Sequence, residues 1–305
     1  MRTPAKWDIP TVPFRGGDVP VTDDVLRSAV ARGVLTRPHR GVYLLATALD
    51  GDPRDAHLMR ALARQTACPE LVASHETAAL AHGIYLPNTA STIHAAPRFT
   101  LAKTPARRSG GPGRACLQPL PNEQVMTLDN ELRVTTPART AVDLAAALPL
   151  PEALMALDAA ARLEALKHVD RCRLRGPIDP WLRETALAAL AEAADVAAHR
   201  RTRRRLQLAL RHVDPRRESP GESLAAGWFV LDGLPEPECQ FPIETNLDVV
   251  YSDFGREDFG VVAEADGAVK YGSLAQVNLA GENTSLVRQL VRHNETDSAV
   301  VKVSD

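Results

Sequence analysis

Three carboxylates near the end of this chain are spaced for metal-assisted phosphate chemistry. Glu264 and Asp266 are separated only by Ala265, and ten residues intervene between Asp253 and Glu264. On a β-strand, residues i and i+2 face one side, so Glu264 and Asp266 would present their oxygens together with Ala265 turned away. Asp253 would arrive from the preceding strand, Glu222 from a leading helix, and Lys270 is the nearest cation. Acidic oxygens converging from separate elements can hold Mg²⁺, which polarises a scissile phosphate and makes its bound water more acidic. The run Val261-Val262-Ala263 marks the carrier as an interior strand, and two carboxylates at its end need a metal or a proton between them. The alternative is that Asp266-Gly267 is a hairpin turn and Glu264 an ordinary surface residue.

A second chemistry is carried by arginine. Arg200, Arg201, Arg203, Arg204 and Arg205 crowd one stretch, while Leu206, Leu210 and Val213 recur at helical spacing behind them. Near the start, Arg27, Arg32, Arg37 and Arg40 surround a short helix and a turn. Guanidinium forks suit phosphates, so both groups are candidate nucleic-acid contacts; a solvated face is the other reading of the 200–205 run.

The elements that must position these residues are legible from caps and periodicity. Thr22 precedes Asp23 and Asp24, and Val25, Leu26, Ala29 and Val30 form one apolar side until Gly33, which predicts a helix over 22–32. Leu35-Thr36, a turn at Pro38-His39-Arg40-Gly41 and a strand over Val42 to Leu45 complete a helix and hairpin of winged-helix type. Residues 52–67 and 74–82 read as helices, the second ended by Gly83. Short strands are predicted at Thr92 to Ala96, Ala115 to Leu117 and Gln124 to Leu128, and a helix runs from Thr136-Pro137 through Leu144. Helices fill 151–166 and 180–212. Beyond them the order is helix (221–231), strands (238–245, 247–254, 259–266), helix (282–292) and strand (299–303), an αβββαβ arrangement.

The 305 residues carry a net charge of −2, which conceals an asymmetry: residues 1–217 hold 31 basic and 22 acidic side chains, whereas residues 218–305 hold 5 and 16. Together with the breaks at Asp214-Pro215 and Pro220-Gly221, this divides the chain into an arm and winged helix (1–50), an α+β middle (51–150), a helical connector (151–217) and an α/β domain (218–305). Of the 36 cationic residues 31 are arginine, a bias that also follows from a GC-rich genome. No stretch reaches the ~18 apolar residues of a membrane span and no apolar leader opens the chain, so the expectation is a cytoplasmic protein. Cys68, Cys116, Cys172 and Cys239 stand singly, as reduced structural thiols. Arg139 and Asp143, at i and i+4, read as a surface pair worth ~0.2–0.5 kcal/mol.

Two resemblances rest on these residues. Ser219-Pro220-Gly221-Glu222-Ser223, Leu234-Pro235-Glu236-Pro237 with Gln240, Asp253-Phe254, Glu264-Ala265-Asp266-Gly267 and Lys270-Tyr271 resemble the Vsr-like branch of the PD-(D/E)xK nucleases over about 85 residues. The resemblance implies a restriction-endonuclease-like fold with Asp253 and Glu264 as metal ligands, Glu222 as a supporting acid and Mg²⁺ as the cofactor of an active enzyme. The lysine such nucleases place two residues after the glutamate is Asp266 here, with Lys270 as the nearest substitute. Gly33-Val34-Leu35, Arg40-Gly41-Val42-Tyr43, Ser74-His75-Glu76-Thr77-Ala78-Ala79 with His82-Gly83, and Thr135-Thr136-Pro137-Ala138-Arg139-Thr140 with Asp143-Leu144 look like AbiEi-type antitoxins over residues 14–150. That resemblance implies a winged helix on operator DNA and a cognate toxin as partner. The leading expectation is therefore a DNA-binding regulator with an appended nuclease-like domain, ahead of an active endonuclease and of a degenerate nuclease fold used for docking.

Overall fold

Residues 7–102, 114–197, 202–244 and 249–265 are described by a computed structural model. Among them are nine α-helices and three sheets, a mixed α/β protein, and the chain divides into two compact units, Met1–Asp143 and Leu144–Asp305.

The first unit opens with β1 (Phe14–Arg15), α1 (Asp23–Ala31) and the hairpin of β2 (Leu35–His39) and β3 (Val42–Leu45), an antiparallel sheet in the order β1-β3-β2. Apolar spacing makes α1, as predicted, although Thr22 at its N-cap makes no side-chain cap bond. The strand β2 runs through Pro38 to His39, so the turn narrows to Arg40-Gly41, where φ is +76° at Gly41, a conformation glycine adopts without steric cost. Phe14, Leu26, Ala29, Leu35 and Tyr43 form the core beneath.

The same unit continues with α2 (Pro53–Ala67), β4 (Val72–Ala73), α3 (His75–His82), α4 (Thr89–His94), β5 (Arg98–Leu101), β6 (Arg114–Leu117), β7 (Val125–Thr127), β8 (Arg133–Thr135) and α5 (Pro137–Ala145), which reaches the unit boundary. Its sheet has the order β6-β5-β4-β8-β7, with β4/β8 and β5/β6 parallel and β4/β5 and β7/β8 antiparallel. Ala61, Leu62, Leu71, Ala73, Phe99, Leu132 and Val134 fill the space under it. The strand expected over Thr92 to Ala96 is instead the end of α4: the Asn88 side chain accepts from Ser91 N at 3.0 Å and starts a helix that β-branched Thr92 and Ile93 would not by themselves favour. The strand β5, unmarked by any periodic signal, takes the neighbouring place.

The second unit is organised on α6 (Leu150–Ala165), which packs against α7 (Pro180–Ala197), α8 (Arg203–Arg211) and α9 (Pro220–Leu231). Leu154, Ala156, Leu157, Ala161 and Ala165 of α6 are sealed from water. Small residues permit the closest approach: a Cβ on Gly227 of α9 would stand 2.4 Å from Pro151 Cα. The charge switch at residue 217 thus lies inside this unit, between α8 and α9, both of which pack on α6. Strands β9 (Glu238–Glu244), β10 (Val249–Arg256) and β11 (Val261–Ala263) follow as an antiparallel sheet in the order β11-β10-β9. Phe254 of β10, Cys239 of β9 and Ala225 and Ala226 of α9 make its core.

Two expectations for this sheet need correction. The run Val261-Val262-Ala263 forms an edge strand among the described residues, with Val261 50% exposed, rather than an interior one; valine suits any strand and does not separate edge from centre. The strand also ends at Ala263, so Glu264 follows it and does not sit within it. Asp266, Lys270, the helix expected over 282–292 and the strand over 299–303 lie outside the described residues. No described helix is long and apolar enough to cross a membrane.

Candidate functional site

The antiparallel register of β10 and β11 aligns Phe254 with Ala263, which carries Glu264 toward Asp253. The backbone N–H of Ala265 donates to Asp253 Oδ2 at 2.8 Å and fixes the aspartate at the end of β11. Burial first, and then the negative charge of Asp253, push the Glu264 carboxyl above its ordinary value, so the two acids stand as a repelling pair.

Glu222 is held differently. Ser219 caps α9 by accepting from Glu222 N at 3.2 Å, and the Glu222 carboxylate accepts from Glu218 N at 2.9 Å, one residue ahead of the donor that a capping box would use. Glu222 is buried, which raises its pKa, and the Asp253 charge adds to that rise. All three acids therefore share one neighbourhood, but one is committed to its helix. Among the described residues no group of three or more His, Cys, Asp or Glu is placed to hold a metal ion. Asp253 and Glu264 could supply two of the six oxygens of Mg²⁺, the others falling to water or a substrate phosphate.

The four N-terminal arginines are all exposed. Arg27 pairs with Asp24 within α1, and Arg32 donates to Ser28 O at 3.3 Å. Arg37 lies over the Tyr43 ring at 5.8 Å, and Arg40 stands in the hairpin turn. Cationic side chains thus collect on the hairpin, whereas Asp23 and Asp24 occupy the first turn of α1.

In the second unit Leu206, Ala209 and Val213 are buried and Arg203 and Arg204 point outward. Arg203 lies 4.0 Å from Asp195, an exposed and weak pairing, and Arg205 donates to Leu148 O at 2.9 Å. Arg200 and Arg201 lie outside the described residues.

Arg139 is not a surface residue. Its Nε donates to Asp143 Oδ1 at 3.0 Å, Nη1 to Pro119 O at 2.8 Å and Gln124 Oε1 at 2.7 Å, and Nη2 to Gln118 Oε1 at 3.0 Å. Burial raises the Asp143 carboxyl, and Arg139 pulls the other way. The i, i+4 spacing alone suggests an exposed pair; the acceptors at Gln118, Pro119 and Gln124 come from a loop that spacing cannot reveal. Ser74 and His75 also form a buried contact of their own. His75 has φ +50°, which lets its Nδ1 meet Ser74 Oγ at 3.0 Å, and Thr100 donates to Ser74 Oγ at 2.9 Å. All three are buried, so they knit β5 to the start of α3 and have no access to a substrate.

Residues 71–179 match the family described as AbiEi antitoxin C-terminal domain. The matched stretch runs from β4 through α6 to the threshold of α7 and contains the Arg139 node; it ends before the arginines of α8 and the carboxylates of the last sheet. The chain is similar to AbiEi antitoxins over these residues. No curated relative matches it.

Proposed function

We propose that this chain is a DNA-binding regulator of the AbiEi antitoxin kind, with operator DNA and a cognate toxin as its partners. The match over residues 71–179 carries the reading. The N-terminal unit adds support: α1 and the β2–β3 hairpin have the succession of a winged helix, with the hairpin as the wing. Arg32, Arg37 and Arg40 make no ion pair among the described residues and are open to phosphate oxygens or base edges. Arg203 and Arg204 form a second phosphate-facing ridge in the other unit. A gel shift on the DNA upstream of the protein's own gene tests it: retardation that weakens with salt is expected, and no retardation by the wild type at low salt rejects the DNA half. Co-purification with the product of the adjoining gene, expected to be a nucleotidyltransferase-like toxin, tests the other half.

A second reading concerns the C-terminal sheet, which we take as a nuclease-like domain without cutting activity. The neighbourhood of Asp253 and Glu264 favours the ancestry. The commitment of Glu222 to its helix and an aspartate at the usual lysine position favour the loss. Plasmid remains intact with Mg²⁺ or Mn²⁺ on this reading, and cleavage by wild type that disappears in Asp253→Ala would establish an active endonuclease instead.

A further inference from the structure

In the second unit a cavity of about 420 Å³ opens between the 211–217 segment and the ends of β9 and β10. Its volume falls in the range of roughly 300–1,000 Å³ typical of small-molecule sites. Its walls have opposite charge. Arg183, Arg211 and Arg217 stand on the helical side, and Glu236, Glu257 and Asp258 on the side of the sheet.

The internal pairings leave particular groups over. Arg217 is 8% exposed and donates from Nη1 to Asp158 Oδ2 at 2.9 Å and to His212 O at 2.8 Å. Its buried Nε has no hydrogen-bond partner. That atom is sealed from the cavity, but Arg217 itself lines the wall, so its positive charge acts across the opening. Arg183 reaches only a carbonyl, Val213 O at 3.3 Å, and neither it nor Arg211 forms an ion pair among the described residues. On the opposite wall Asp258 is paired with Arg256 at 2.9 Å and Glu236 with His212, but Glu257 makes no ion pair among the described residues. Phe241 and Pro237 lend apolar surface between the two walls.

We propose that this cavity binds a nucleoside monophosphate whose base carries an amino group. Its phosphate sits between Arg183 and Arg211, in the field of Arg217 behind them, and its amine donates to Glu257. Two exposed guanidiniums backed by a third positive charge suit a dianionic terminal phosphate better than a singly charged carboxylate. A carboxylate accepting from an exocyclic amine is an established form of base readout, and Phe241 offers a face for a flat ring. The site is separate from the Asp253–Glu264 pair and from the arginines proposed to meet DNA, so it stands or falls independently of that function.

Calorimetric titration of the full chain with CMP, AMP, GMP, UMP and inorganic phosphate tests the assignment. Saturable binding of the three amino-bearing nucleotides is expected, tighter than that of UMP or phosphate. Arg211→Ala and Arg183→Ala, both at exposed positions, should each weaken it by about tenfold or more. Glu257→Gln should erode the preference over UMP, and unchanged melting curves would show that all three variants fold. Absence of saturable binding at millimolar nucleotide, binding indifferent to Arg211→Ala, or inorganic phosphate binding as tightly as any nucleotide would each overturn the proposal. A 5′-phosphorylated trinucleotide presents the same groups; if it binds more tightly than the free nucleotides, the site belongs to a nucleic-acid end and the free-nucleotide assignment fails.

Discussion

Arg139 donates to Asp143 across 3.0 Å, one turn further along α5, with the two side chains 0% and 2% exposed. The other partners of Arg139 tie the helix to the 118–124 loop, so the pair acts as a fastening inside the stretch similar to AbiEi antitoxins. Removing the guanidinium leaves a buried carboxylate without its cation, which typically costs about 3–5 kcal/mol. Arg139→Met should therefore lower the urea midpoint far more than a surface substitution, and Arg139→Lys should recover part of the loss. A change within ~0.5 kcal/mol, the usual range for exposed positions, would contradict the burial.

A steric prediction concerns the seam between α6 and α9. With a Cβ on Gly227 only 2.4 Å from the Pro151 backbone, the helices must separate to admit a methyl group. Gly227→Ala should destabilise the protein by about 1–3 kcal/mol, although alanine is the better helix former. Thermal melts would show it, and a raised melting temperature would mean that the helices are not in contact there.

Acid stability depends on Asp214. Burial alone would raise its carboxyl, but hydrogen bonds and charge from Arg216, and then the charge of Arg217, overcome this and hold it below 3.8. Around that pH the unfolded chain takes up a proton that the folded chain still refuses. The stabilisation is thus complete at neutral pH and is lost as the pH falls through the folded value. Urea midpoints followed down from neutral pH should drop more steeply for wild type than for Asp214→Asn in this acidic window. Parallel curves would show that another group governs the acid transition.

The proposed DNA interface has a signature in salt. Each phosphate-neutralising arginine that is removed lowers the slope of log affinity against log salt by about one. Arg37→Ala with Arg40→Ala, and separately Arg203→Ala with Arg204→Ala, should each flatten it by up to about two. A pair whose removal leaves the slope unchanged lies off the DNA.

What the residue pattern reveals and what it hides differ by range. Local signals work: the helices expected over 52–67 and 74–82 are α2 and α3, Gly83 ends α3, and β9 and β10 lie where their strands are expected. Features made by distant segments are hidden. The burial of Arg139 depends on acceptors 15 to 21 residues away, and the bipolar cavity gathers α7, the 211–217 segment and the sheet. The strand β5 escapes notice because Arg98-Phe99-Thr100-Leu101 acquires its partners from β4 and β6, and a four-residue run carries little periodicity of its own. At the carboxylates the mutual approach of Asp253 and Glu264 follows from the order of elements, whereas the use of Glu222 as a cap does not.

The partnership of α6 with α9 also bears on synthesis. Both helices belong to one compact unit, yet more than fifty residues separate them. On the ribosome the part of α6 that α9 covers must wait, unmatched, until residue 231 has cleared the exit tunnel. A chain interrupted before then would display that surface to chaperones and proteases, so premature termination should yield fragments that are cleared quickly instead of accumulating as a shortened regulator.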